Sequence, residues 1–215
     1  MVNSIDHYNK NGYCVLNAFT SQEYKRLKNF TDEWIKKVIS SHSGIDVSFR
    51  DLSQYHKWGV EIGIKHNGLF AAVNRYIDPP MGIKKILHNE IDKYRVFFKD
   101  SEEGIIKKWP TEYDLYGWLI SMKSGGKLRP HMHEKGWISG SVYINVPSKS
   151  RTDSGNLVVC KDDEDYLVDG KTSHENIIDV TTGSLCLFPA SLLHYTIPFD
   201  SAEERIVLAF DVVPK

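Results

Sequence analysis

From residue 113 onward the chain breaks into seven short runs rich in β-branched and aromatic residues: 113–122, 137–146, 156–161, 175–180, 184–188, 193–198 and 205–212. Turn sequences part them: Ser124-Gly-Gly126, Ser154-Gly155, Asp169-Gly170 and Thr182-Gly183. Short strands at such spacing predict a β-sandwich or barrel. The first half has a different period. Tyr24, Leu27, Phe30, Trp34, Ile35 and Val38 recur at helical spacing behind a Thr20 or Ser21 cap, so 21–40 is expected to be an amphipathic helix with a lysine-rich outer face. A second helix is expected at 83–98, on the stripe Ile83, Ile86, Leu87, Ile91, Tyr94 and Phe98. Residues 4–11 read as a short polar helix, 12–16 as a strand, 41–65 as a loop or lid, and 68–76 as a helix stopped by Asp78-Pro79-Pro80. The expectation is an α+β chain, with helices packed on one side of a β-sandwich. A length of 215 residues suits a single domain, with 1–110 as mainly helical support and 111–215 as the β core.

The totals exclude several classes. Net charge is −1 and the basic residues are dispersed, which gives no field for nucleic acid or an acidic membrane. Cys14, Cys160 and Cys186 are odd in number, lack CxxC spacing and sit in apolar runs, so buried reduced thiols and a reducing compartment are expected. The first residues carry no cationic start with an apolar core, and no apolar window approaches a membrane span. The expectation is a cytoplasmic protein. The acidic run 162–165 lacks the ligand spacing of a calcium loop and reads as an exposed loop.

The chemistry concentrates in the β half. His131 and His133 stand two residues apart, so on an extended chain both rings can reach one point. Imidazole pairs suit iron, zinc, copper or nickel, while single strand histidines are commonly structural. Arg129, on the same alternation, would repel a cation unless Pro130 turns it away. His194 follows an apolar strand and a Pro-Ala-Ser turn. A buried imidazole there needs a partner, either a metal or the backbone. Arg205 opens the apolar run 205–212 and shares a face with Val207 and Ala209. A buried guanidinium requires an anion, either a bound carboxylate or an internal partner among Glu203, Glu204 and Asp211. On 137–146, Ser139, Ser141, Tyr143 and Asn145 share a face opposite Val142, Ile144 and Val146. That polar face lines a cavity or meets water. Tyr116, Trp118 and Trp137 serve either as pocket wall or as core. Two close imidazoles, a distant third and a trailing arginine suggest a mononuclear iron site with a carboxylate co-substrate.

Three segments in order carry a resemblance: His131-Met-His133 with Ser139-Gly-Ser-Val-Tyr143 and Pro147; Gly183-Ser-Leu-Cys-Leu-Phe-Pro189 with His194; and Glu204-Arg205-Ile. Together they resemble the Fe(II)/2-oxoglutarate-dependent oxygenase superfamily. The opening Asn11-Gly-Tyr-Cys-Val-Leu16, followed by a Ser-Gln-Glu helix, is similar to its phytanoyl-type members. The resemblance implies a double-stranded β-helix (jelly roll) in the C-terminal half, supported by helices from the N-terminal half. It implies His131 and His194 as iron ligands, with His133 standing where the usual motif has a carboxylate. Arg205 would hold the distal carboxylate of 2-oxoglutarate. Many members have a hydroxyl two residues beyond this arginine; here that residue is Val207, so Ser141, Tyr143 or Tyr116 would supply it.

The implied activity is hydroxylation of an unactivated C–H bond of a small molecule or amino-acid-like substrate, with release of succinate and CO2. Fe(II) and 2-oxoglutarate are the implied cofactors, with ascorbate as an accessory reductant. Trp118 and Trp137 are candidate substrate contacts. Two other classes compete: a cupin-like three-histidine metalloenzyme without 2-oxoglutarate, and a non-catalytic jelly-roll binding domain.

Overall fold

The computed structural model describes residues 7–10, 12–41, 58–63, 70–73, 82–128, 130–160 and 175–215. Arg129, residues 42–57 and 64–65 of the loop expected over 41–65, and the acidic run at 162–165 lie outside them. Strands are β1 (His7–Tyr8), β2 (Cys14–Leu16), β3 (Trp58–Gly63), β4 (Phe70–Val73), β5 (Tyr113–Met122), β6 (Ile138–Asn145), β7 (Leu157–Cys160), β8 (Asn176–Ile178), β9 (Leu185–Pro189), β10 (Leu193–Thr196) and β11 (Arg205–Pro214). Helices are α1 (Ser21–Ser41), α2 (Ile83–Phe97) and α3 (Gly104–Lys107). One sheet has eight strands in the order β1-β2-β9-β6-β11-β5-β3-β4, and a smaller one has the order β10-β7-β8. All pairings are antiparallel except β3 with β5.

The seven runs expected in the second half all form strands, within a few residues of their expected ends. Both long helices also form where their periodicity places them. At the start of α1, the Thr20 hydroxyl accepts from the Glu23 amide at 3.3 Å, and the Glu23 carboxylate accepts from the Thr20 amide at 2.8 Å. This reciprocal cap satisfies donors that the first turn leaves open. Three expectations fail. His7–Tyr8 is a strand paired with β2, not a helical turn. Trp58–Gly63, expected as irregular, is β3, running parallel to β5 at full register. Phe70–Val73, expected as helix, is β4, paired with β3. Four residues cannot display a helical period, and an available sheet edge overrides a weak alanine preference.

Strand alternation builds the two-sided core. On β11, Ile206, Leu208, Phe210 and Val212 join Leu27 and Ile35 of α1 and Ile83, Leu87, Ile91 and Tyr94 of α2. Val207 and Ala209 point the other way, into a second cluster with Leu157 and Val159 of β7, Ile178 of β8 and Phe188 of β9. The helices therefore cover one face of the large sheet, and the small sheet covers the other. Each fully buried aliphatic side chain contributes about 1.5–3 kcal/mol of transfer free energy. Tyr24 pins α1 to the sheet by donating to the Ile144 carbonyl at 2.6 Å.

One irregularity shifts a face. Ile206 opposes Asn145 while Val207 opposes Tyr143, so β6 carries an extra residue at Ile144. Beyond this bulge Val146 packs against the second cluster, not with Val142 and Ile144 as simple alternation implies. All three cysteines are buried and form no disulfide. Among the described residues no helix is long and apolar enough to cross a membrane.

Gly140 lies opposite Phe210 in the β6–β11 register. A Cβ at Gly140 would stand 2.1 Å from the Phe210 ring. Gly140→Ala should therefore lower the unfolding free energy by about 3 kcal/mol, at the upper end of overpacking costs. Urea denaturation measures it; a loss under about 1 kcal/mol would show that Phe210 moves aside at little cost.

Candidate metal centre and anion pocket

The site begins with a backbone pairing. His131 and His194 form an isolated antiparallel bridge. The His194 amide donates to the His131 carbonyl at 2.9 Å, and the His131 amide donates back at 3.2 Å. The His133 amide then donates to the Ala190 carbonyl at 3.0 Å. The chain before β6 is thus tied to the β9–β10 turn and the start of β10, which brings a histidine pair next to one some sixty positions away in sequence. His131 and His133 converge from this tethered loop, not from the regular strand that their spacing suggested.

Their rings meet. Centroids are 5.2 Å apart for His131 and His133, 4.3 Å for His131 and His194, and 4.8 Å for His133 and His194. One nitrogen from each lies within 4.8 Å of the others, a set able to hold a metal ion. Hydrogen bonds orient two of the rings. His194 Nδ1 lies 3.1 Å from the Leu192 carbonyl, and His133 Nδ1 lies 2.8 Å from Asp211 Oδ1. Both oxygens only accept, so Nδ1 carries a proton in each ring and Nε2 is the nitrogen left to face a metal. Burial pulls the His194 pKa down to about 3, reinforced by the neighbouring His131 and His133. This imidazole is held neutral, the form that ligates metals.

Arg205 is 2% exposed. Its Nε donates to the Gly155 carbonyl at 2.9 Å, and its guanidinium carbon lies 5.2 Å from the centre of the Tyr143 ring. Two of the acids considered as its partners are engaged elsewhere: Glu204 accepts from Ser121 at 3.0 Å, and Asp211 serves His133. Burial pushes the guanidinium pKa down, and the opposing influence comes from Tyr143 alone. Tyr143, wholly buried, has its phenol pKa pushed up by desolvation and so stays a neutral donor; it also hydrogen-bonds Ser141 and Arg205. A cavity of about 570 Å³ joins these groups: the three histidines, Ser141, Tyr143 and Arg205 all line it.

Trp118 also lines the cavity, edge-on to His133 with ring centres 5.3 Å apart. Two other aromatics do not. Tyr116 is 36% exposed at the far end of β5, beyond the cavity wall. Trp137 packs into the helix-side core and donates from Nε1 to the Ile105 carbonyl at 2.8 Å. Both are corrections to the expected pocket: the first lies a strand step too far along, the second on the opposite face. The residue that sequence reasoning missed is Asp211. An acid two residues from the end of an apolar strand looks like an arginine counter-ion, and nothing local signals that it meets a histidine 78 positions earlier.

Comparison with known proteins follows the same lines. Residues 116–211 match the family model described as "Putative 2OG-Fe(II) oxygenase". That span holds His131, His133, His194 and Arg205. No curated protein matches the sequence. Among solved structures, the fold is similar to a Pseudomonas putida prolyl-4-hydroxylase, at 14% identity over 96% of this chain and 94% of that one, with a TM-score of 0.52. It is also similar to a prolyl hydroxylase from Trichoplax adhaerens in complex with a hypoxia inducible factor peptide fragment, at 16% identity, 95% and 84% coverage, and a TM-score of 0.52. A third is SnoK, a non-heme alpha-ketoglutarate-dependent carbocyclase from nogalamycin biosynthesis, at 11% identity, 95% and 80% coverage, and a TM-score of 0.58. At these identities the likeness is one of fold.

His194 makes the metal-free protein acid-sensitive. Its native pKa of about 3 lies below its ordinary 6.5. As pH falls below 6.5 the unfolded chain takes up a proton that the native site refuses, so stability drops through the window from 6.5 toward 3. Thermal melts of the metal-free protein between pH 7.5 and about 4.5 should show this. His194→Asn should flatten the dependence; an unchanged slope would mean that His194 is not held neutral.

Proposed function

We propose, from the match of residues 116–211 to the 2OG-Fe(II) oxygenase family model, that the chain is an Fe(II)- and 2-oxoglutarate-dependent dioxygenase hydroxylating an unactivated C–H bond of a small molecule or amino-acid-like substrate. The carrying observation is one cavity that gathers three imidazoles and a buried arginine with no acidic partner among the described residues. In this reading the two facing sheets form a double-stranded β-helix, and the chain is one domain with its helices as outer support.

The residues fit both cofactors. Two Nε2 lone pairs are preset by hydrogen bonds at Nδ1, and imidazole is a good iron donor. A buried guanidinium with no acidic partner among the described residues presents a planar fork that matches a carboxylate. Together, bound iron(II) and 2-oxoglutarate supply dioxygen activation coupled to decarboxylation and C–H oxidation. The chain holds and orients them. His131, His133 and His194 would bind the ion from one side. Arg205 would take the distal carboxylate, and Tyr143 would donate its neutral hydroxyl beside it, in place of the hydroxyl that Val207 lacks. Ser141, hydrogen-bonded to Tyr143, orients that phenol. Trp118, Phe188 and Val207 form apolar wall and limit water. The near-neutral charge of −1 argues against nucleic acid as substrate.

One specific observation favours a second reading. Among the described residues the metal cluster is all-histidine, as in a three-histidine metalloenzyme that needs no co-substrate. Arg205 separates the two. Anaerobic titration of the Fe(II)-loaded protein with 2-oxoglutarate should give a visible charge-transfer band, and turnover should yield succinate with ascorbate present. Arg205→Ala should weaken 2-oxoglutarate binding at least 30-fold, on the order of 2 kcal/mol or more for an unpaired buried carboxylate. His131→Ala or His194→Ala should abolish iron binding. Unchanged 2-oxoglutarate affinity in Arg205→Ala would rule out the co-substrate assignment and favour the second reading.

A further inference from the structure

The three-imidazole cluster contains no anionic member among the described residues, yet a carboxylate stands one hydrogen bond behind it. Asp211 is 8% exposed, on the cavity face of β11 between β5 and β6. Its Oδ1 accepts from His133 Nδ1 at 2.8 Å and from the Ser139 hydroxyl at 2.7 Å. Ser139 is its cross-strand partner and is itself 2% exposed; its Oγ also lies 3.2 Å from His133 Nδ1. The three groups form a closed triangle. The turn above is cut to fit it: a Cβ on Gly136 would stand 3.2 Å from Asp211 Cγ and 2.8 Å from the Ala190 Cβ. The Gly136 amide donates to the His133 carbonyl at 3.1 Å, so the same close turn also fixes the His133 backbone.

We propose that Asp211 is a positioning residue that supplies, one hydrogen bond further out, the negative charge the ligand set lacks. It locks His133 in the Nδ1–H form, aims Nε2 at the ion, and makes this imidazole a stronger donor. Ser139 holds the carboxylate in that orientation. This deepens the iron reading and rests on it. The chemical sense is direct. Three neutral imidazoles leave a dipositive ion fully charged, and a carboxylate hydrogen-bonded to a ligating imidazole shifts charge onto the ring. Sequence distance hides the role: His133 lies in a loop and Asp211 near the end of the last strand.

Two measurements test it. In the first, Co(II) is titrated into the parent protein, Asp211→Asn and Asp211→Ala. The asparagine variant keeps shape and can still accept a hydrogen bond, so it isolates charge; alanine also releases the ring. Affinity should fall about tenfold for Asp211→Asn and up to about 100-fold for Asp211→Ala, the range typical of outer partners of metal-bound histidine. The visible Co(II) spectrum should shift in both. In the second, ¹⁵N spectra of histidine-labelled, metal-free protein should show the Nδ1–H form of His133 in the parent and in Asp211→Asn. In Asp211→Ala that preference should be lost. Melting temperatures of the metal-free variants control for folding. Parent-like Co(II) affinity in both variants overturns the inference and leaves the iron reading standing. Failure of the parent itself to bind Co(II) overturns both.

Discussion

Everything in this molecule depends on the two-faced alternation of one strand. β11 lies between β6 and β5 in the large sheet, so its backbone donors and acceptors are met on both sides. Its even-numbered side chains Ile206, Leu208, Phe210 and Val212 enter the helix-covered core. Its odd-numbered ones, Arg205, Val207, Ala209 and Asp211, face the second layer, and the first three line the cavity. A slip of one residue would drive the guanidinium and the carboxylate into an apolar cluster, at a cost of several kcal/mol per ion, comparable to the whole stability of a domain. The packing that folds the chain therefore also places the charged groups at the candidate site.

Among the described residues no acid joins those charges in the cavity lining. Three imidazoles and a guanidinium share one space, and the Asp211 carboxylate behind it is committed to His133. His194 answers by staying neutral; Arg205 keeps its charge and leans on Tyr143 and the Gly155 carbonyl. In the proposed reading such a cavity would stabilise a dication and a dianion together better than either alone: the ion would satisfy the imidazole lone pairs, and the acid the guanidinium. The family-model match over 116–211 agrees with that reading.

Much of this was legible in the sequence. The strands of the second half announced themselves because their β-branched runs end at glycine turns, and α1 and α2 because their apolar stripes are long enough to show a period. His131, His133, His194 and Arg205 were each identifiable, since such side chains in apolar company need partners. What stayed hidden depended on contacts far apart in the chain. β3 and β4 were missed because pairing alone, of β3 to β5 and of β4 to β3, makes strands of segments too short or too glycine-rich to declare a period. Val146 changed side because of a bulge that no composition reveals. Trp137 and Tyr116 were plausible wall residues by type, and only position along or across the sheet disqualified them. Asp211 was read as a counter-ion for the wrong partner: parity placed it correctly beside Arg205's face, but not next to His133.

The central claim is that the three imidazoles and Arg205 act on one bound pair of cofactors. The most direct measurement is an anaerobic crystal structure with Fe(II) and 2-oxoglutarate. The account predicts a single ion touched by Nε2 of His131, His133 and His194, with the distal carboxylate of the acid forked by Arg205 and met by the Tyr143 hydroxyl. An ion bound elsewhere, or an acid whose distal carboxylate ignores Arg205, would contradict it.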